Sequence, residues 1–276
     1  MAPSFLFINV LLYVLINAEP DTLKLELIDN NAYPYSICND GTSAGYYYSL
    51  SEISSKYWII HLEGGHWCWD INSCNERNTS SPELMSNKYW EDNIKRSGMF
   101  DNNSTLNPIL YNANKIYIPY CSSDAHMGNI AASEETGGYA FMGQEIIISV
   151  IDTVHKKYGF GNSNDDILIF SGCSAGGRGA MVNLDYIPGI LTNIGVNIKH
   201  IMGVLDSPLW INIAPENDTI IPVAYQTEHV YTFANVSGRV IGSKCGEVYT
   251  GNDSWKCLFG EYKLPLLQIP HVINAA

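Results

Sequence analysis

The chain has 276 residues, 46% of them hydrophobic, enough to build the core of one large domain. Charged residues make up only 16%, too few for a coiled coil or an acidic disordered chain. Acidic residues outnumber basic ones 28 to 15, a formal net charge of -13, which excludes the basic footprint of a nucleic-acid binder and disfavours an anionic membrane surface.

The chain opens on an apolar run from Phe5 to Ile16, followed by Asn17-Ala18-Glu19-Pro20. The run has the length of a signal-peptide core and is too short to span a bilayer, so residues 1–18 read as a signal peptide and 19–276 as the mature domain. No later stretch reaches the roughly 18 apolar residues that a membrane-spanning helix needs. N-glycosylation sequons stand at Asn78, Asn102, Asn103, Asn217, Asn235 and Asn252. Singly each is a chance product of an Asn-rich chain; together with the apolar leader they point to the secretory pathway.

Further along, Leu23–Leu27 and Ala44–Ser49 read as an early hairpin, with the turn signal Asn39-Asp40-Gly41 between them. Tyr57–Leu62 is a short buried strand ended by Glu63-Gly64-Gly65, and Lys115–Tyr120 is another. Tyr139–Tyr158 carries Phe141, Ile146, Val150 and Val154 near helical spacing. Asp166–Ser171 forms a third apolar strand, with a helix from about Arg178. His200–Leu205 forms a fourth and Val272–Asn274 a fifth. Apolar strands alternating with helices predict an α/β fold, a mostly parallel sheet with helices on both faces.

The seven cysteines include no CxxC pair, and histidines do not interleave with them at zinc spacing, so a structural zinc is not expected. Cys68–Cys74 and Cys245–Cys257 are near enough to close short loops. The remaining pair would be Cys38–Cys121, leaving Cys173 free, although spacing alone admits many other connectivities.

The strongest chemical signal is Gly172-Cys173-Ser174-Ala175-Gly176, a G-x-S-x-G after an apolar strand and before a helix. That context is the nucleophile elbow: glycines permit the sharp turn that lifts the Ser174 hydroxyl above the sheet. A phosphate loop is the competing reading, but the G-K-[ST] ending is missing. The second signal is Leu62-Glu63-Gly64-Gly65-His66-Trp67-Cys68. A Gly-Gly loop after an early strand supplies backbone N–H donors to a tetrahedral intermediate, so Gly65 and His66, with Ala175, are the expected oxyanion hole.

These residues resemble the pectin acetylesterase and Notum carboxylesterase family. The likeness runs in order through Cys38–Tyr46, Leu62–Cys68, Tyr111–Asn114, Ile118–Asp124, Ser171–Gly177, Asp206-Ser207 and Cys257–Gly260, and spans roughly residues 23–274. It implies a secreted α/β-hydrolase that cleaves carboxylic esters through Ser174 without a metal or other cofactor. It also supports the pairings Cys68–Cys74 and Cys38–Cys121. The implied substrates are O-acetyl esters of polysaccharide, with fatty-acyl esters on protein as the alternative, and the protein is expected to be a monomer.

A serine nucleophile needs a base and an orienting acid, in the order Ser, acid, His in this fold. The resemblance places the acid after a late strand like His271–Ala276 and the histidine in a segment beyond it. Only 102 residues follow Ser174. The chain therefore reads as incomplete at its C-terminal side, with a non-catalytic secreted binder as the rival explanation. Asp206 is a candidate alternative acid, and Asp124 and Trp67 are candidate pocket residues. His229 is the least unsuitable substitute base among His200, His229 and His271, and His126 is read as a substrate contact.

Overall fold

The computed structural model describes residues 21–217 and 219–275, so the expected signal peptide lies outside the described residues. In chain order the elements are β1 (Asp21–Leu27), β2 (Gly45–Ser49), β3 (Tyr57–Leu62), α1 (Ile71–Ser80), β4 (Asn93–Arg96), β5 (Asn114–Ile118), α2 (Gly143–Tyr158), β6 (Ile167–Cys173), α3 (Ala175–Asn183), α4 (Ile187–Asn193), β7 (His200–Asp206), α5 (Val223–Phe233), α6 (Lys244–Val248), α7 (Gly260–Lys263) and β8 (His271–Asn274). The strands form one sheet in the order β4-β1-β2-β5-β3-β6-β7-β8. β5, β3, β6, β7 and β8 run parallel, and β1, β2 and β4 are joined by antiparallel pairs at one edge.

Side chains alternate across the sheet as strand geometry requires. Ile60, Leu62, Ile116, Ile118, Leu168, Phe170 and Leu205 point to one face, where they meet Ile146, Ile147, Val150 and Val154 of α2 and Met181 of α3. Leu23, Tyr47, Ile59, Tyr117 and Ile169 point to the other, which is closed by Phe100, Met99 and Leu110. The helices thus gather on the first face, whereas the sequence suggested cover on both. The cause is topological. The crossovers β5 to β6, β6 to β7 and β7 to β8 all advance in one direction across the sheet, and right-handed crossovers of one direction pack on one face. The β3 to β5 crossover goes the opposite way, and its residues 97–113 close the second face. At the far edge β8 leaves Val272 and Ile273 56% and 40% exposed.

Helix starts differ from the pattern reading for local reasons. α2 begins at Gly143, four residues later than its periodicity suggests, because Phe141 is engaged in a bridge to Ile130. The Asp124 carboxylate accepts from the Gly143 N–H at 2.9 Å. A Cβ at Gly143 would lie 2.4 Å from the His126 Cα, so only glycine fits there. α3 begins at Ala175, three residues earlier than expected, directly at the elbow.

The three disulfides are Cys38–Cys121, Cys68–Cys74 and Cys245–Cys257, with Cys173 free. Cys38–Cys121 ties the loop before β2 to the loop after β5, where the Asn39 side-chain amide also donates to the Ser122 and Ala140 carbonyls. No helix among the described residues is long and apolar enough to cross a membrane.

Candidate active site

Parallel sheets place their functional loops at the carboxyl ends of the strands. Here the ends of β3, β5, β6 and β7 deliver residues 63–68, 119–128, 173–177 and 206–210 to one rim. Ser174 sits between β6 and α3 with φ 56° and ψ -120°, a strained left-handed turn for a residue bearing a side chain. Its N–H is held by the Asp206 carbonyl at 3.0 Å, and its own carbonyl accepts from Arg178 N–H at 2.9 Å, the first turn of α3.

The glycines of the motif are required by close backbone approach. A Cβ on Gly172 would lie 2.1 Å from the Gly176 carbonyl oxygen, one on Gly176 2.1 Å from that of Leu62, and one on Gly177 2.2 Å from that of Asp206. Gly64, to which the sequence reading gave no role of its own, presses on the elbow from the other side. Its Cβ would stand 2.5 Å from the Cys173 carbonyl oxygen and 3.1 Å from the Ser174 Cβ. The two glycine-bearing motifs therefore stack directly on each other.

Gly65 has φ 146° and His66 φ 55°, so the loop after β3 turns back over Ser174 in a conformation that L-residues avoid. The N–H groups of Gly65, His66 and Ala175 make no hydrogen bond among the described residues. Unpaired N–H groups at the start of a helix and in an adjacent strained loop form a receptor for developing negative charge. The loop is anchored from below by Glu63, whose carboxylate accepts from the Tyr120 N–H and the Tyr117 hydroxyl, both at 2.8 Å.

Asp206 ends β7 beside the elbow. Its carboxylate accepts from the Asn274 amide at 2.8 Å and the Ser207 hydroxyl at 3.4 Å. It also faces the Cys173 thiol, which burial, together with this neighbour, pushes up to about 11. Among the described residues no imidazole is hydrogen-bonded to Ser174 or to Asp206. His229 is half-buried on α5, and its Nδ1 pairs with the Tyr225 carbonyl. His200 begins β7 at the end of the sheet opposite to Ser174, and His271 begins β8 level with Gly203 in the middle of β7, its Nδ1 beside the Ile269 carbonyl. His61 on β3 pairs with the Ser171 hydroxyl at 2.9 Å on the second sheet face.

Two readings of the loop after β5 are corrected. Asp124 does not line a pocket: it is fully buried, and its carboxylate is consumed by the Ser122 hydroxyl at 2.6 Å and the N–H groups of Gly128 and Gly143. Burial pushes its pKa up to about 6 against the pull of these donors. His126 is no substrate contact: it is 1% exposed, packed on Tyr120, with Nε2 2.9 Å from the Glu63 carbonyl oxygen. Burial lowers its pKa to about 4, which keeps it neutral.

Trp67 is buried and its indole N–H donates to the Gln226 side chain at 3.1 Å. It stacks on a residue that the sequence reading passed over. Arg178, one helical turn after Ser174, has no exposed surface, and its guanidinium carbon lies 4.2 Å from the Trp67 ring, 4.4 Å from Trp210 and 5.1 Å from Phe259. Nothing in the composition marks this arginine, because buried arginines are rare.

The chain matches the family model described as pectinacetylesterase over residues 16–276. It is 34% identical over 253 residues to the palmitoleoyl-protein carboxylesterase notum1a of Danio rerio, covering 90% of this chain and 48% of that protein. It is 32% identical over 255 residues to the palmitoleoyl-protein carboxylesterase NOTUM of Homo sapiens, covering 91% and 49%. The crystal structure of the Wnt deacylase Notum from Drosophila superposes with a TM-score of 0.83 at 29% identity, covering 92% of this chain and 71% of that one. The chain spans about half the length of the curated relatives it matches. On the family match and the shared fold, the chain belongs to the pectinacetylesterase family.

Proposed function

We propose that this protein is a secreted serine carboxylic-ester hydrolase with Ser174 as its nucleophile. The observation that carries the reading is the strained serine at the tip of β6, faced by three backbone N–H groups with no internal partner. In the proposed reaction the Ser174 hydroxyl adds to an acyl carbonyl, its proton passes to a general base, and the new oxyanion takes the N–H groups of Gly65, His66 and Ala175. Collapse expels the alcohol, which receives that proton. Water then opens the acyl-serine ester and releases the carboxylic acid. Each oxyanion donor contributes about 3 kcal/mol of transition-state stabilisation. The base and its acid are sought beyond β8, where the family resemblance puts them.

The substrate proposed first is an O-acetyl ester of a polysaccharide, in keeping with the family description. The alternative, a fatty-acyl group on a protein, is favoured by the names of the relatives. Secretion is supported by three disulfides, which persist in oxidising compartments. The test is hydrolysis of p-nitrophenyl acetate and of acetylated pectin by the full-length protein beside its Ser174→Ala variant. Turnover in the first that is absent from the second is the expected result. Equal rates in both would remove Ser174 from the chemistry, and no turnover in either would favour the non-catalytic binder.

A further inference from the structure

Arg178 is an unusual wall for a site beside a nucleophile. It stands at i+4 from Ser174, on the same face of the helix. Its guanidinium fills the gap between the oxyanion loop, through Trp67, and the loop after β7, through Trp210. Nε donates to the Leu258 carbonyl and Nη2 to the Thr227 hydroxyl at 3.3 Å, so the fork is held from two sides. Nη1 is buried without a partner, and no carboxylate pairs with the group among the described residues. Stacking between two indoles is what makes a buried cation tolerable here. A rotating surface arginine would have an exit to water; this one is at zero exposure.

The geometry of acyl transfer gives this plug a consequence. The carbonyl oxygen must point at the N–H groups of Gly65, His66 and Ala175. Of the two remaining substituents on the carbonyl carbon, the alcohol has to depart to solvent. The acyl chain is left with the enclosed side, bounded by the residue after His66 and by the first turn of α3. Trp67 is the residue after His66, and Arg178 and Trp210 are packed against its ring, so we place the three on that side.

We propose that Arg178 is the specificity-determining residue that limits the acyl group to a short chain, so that acetyl esters are accepted and long acyl esters refused. This rests on the esterase reading above and narrows its substrate. A residue that is stiffly held and enclosed on all sides discriminates by excluded space, and each methylene lost or gained against such a wall changes selectivity about tenfold or more.

The test measures kcat/KM of the full-length protein for p-nitrophenyl acetate and octanoate in the wild type, Arg178→Ala and Arg178→Met. The wild type is expected to favour acetate by about tenfold or more. Arg178→Ala should swing the ratio toward octanoate by a similar factor, chiefly through a lower KM for octanoate. Arg178→Met, which keeps the long stem, should stay near the wild-type ratio. A folded Arg178→Ala with an unchanged ratio overturns the inference and leaves the esterase reading standing. A wild type that prefers octanoate overturns it even if neither variant folds. No hydrolysis of either ester by the wild type overturns the esterase reading, and this inference falls with it.

Discussion

The loop after β3 and the loop after β5 are built from the same unfavourable backbone, yet they end in opposite states. The first carries His66 at φ 55° beside Ser174 at φ 56°, and the second carries Ser123, Ala125 and His126 at φ 51°, 51° and 57°. Each such residue costs about 1–3 kcal/mol. In the second loop that cost is offset by extensive internal pairing. Asp124 collects three donors, the Ala125 N–H reaches the Tyr120 hydroxyl at 2.6 Å, and the Ser123 carbonyl accepts from Cys68 N–H at 3.1 Å. In the first loop the N–H groups of Gly65 and His66 are left unused. Strain alone therefore does not mark a reactive site; strain that leaves polar groups unpaired beside a nucleophile does. The second loop serves as the rigid shelf on which the first is held.

This contrast makes different demands on substitutions. Gly176→Ala puts a Cβ 2.1 Å from the Leu62 carbonyl oxygen and forces the oxyanion loop off the elbow. A misplacement of about 1 Å costs about 100-fold in rate, so kcat/KM for p-nitrophenyl acetate should fall by at least that factor. Asp124→Ala acts on the shelf instead. It strands the Gly128 and Gly143 N–H groups and should lower stability by about 3 kcal/mol in a denaturant titration, with activity per folded molecule largely kept. If Asp124→Ala abolished activity without loss of stability, the division of labour between the two loops would be broken.

Protonation sharpens the same contrast. His61 and His126 are held near pH 4 by burial, against an ordinary value of 6.5. The unfolded chain therefore binds protons between about pH 6.5 and 4 that the folded chain refuses, and stability is lost as pH falls through that window. The loss is about 3 kcal/mol per histidine. Asp124 has the opposite sign: its folded value of about 6 lies above the ordinary 3.8, so its contribution declines as pH rises between the two. With two histidines against one carboxylate, thermal melts should show Tm falling from pH 7 to pH 4, and His126→Asn should flatten the slope. A Tm that rises on acidification would contradict these burials. The smallest effect is expected at the Cys245–Cys257 disulfide, which closes a loop of 12 residues beneath Leu258. Replacing both by serine should cost about 2–3 kcal/mol in denaturant.

What could be read in the sequence follows from how locally each feature is encoded. β3, β5, β6 and β7 are short apolar runs ended by glycine, proline or aspartate, and both motifs lie on their tips. The strand Asn93–Arg96 escaped because it is only four residues long, three of them polar, and it lies at the sheet edge. α1 escaped for a similar reason: its sequence is almost wholly polar, and its start is fixed by a reciprocal cap between Asp70 and Ser73. Asp124 and Arg178 could not be judged from sequence, since a charged residue carries no mark of its burial. Only the converging carboxylate donors in one case, and the two tryptophans in the other, reveal what each does.

The most direct test of the central claim is labelling of the folded full-length protein with a small fluorophosphonate, which acylation-competent serines capture, followed by peptide mapping. A single adduct on Ser174 that disappears in Ser174→Ala is the predicted result. A folded protein that takes no label, or an adduct that persists in Ser174→Ala, would contradict the assignment of Ser174 and its three N–H groups as an acyl-transfer centre.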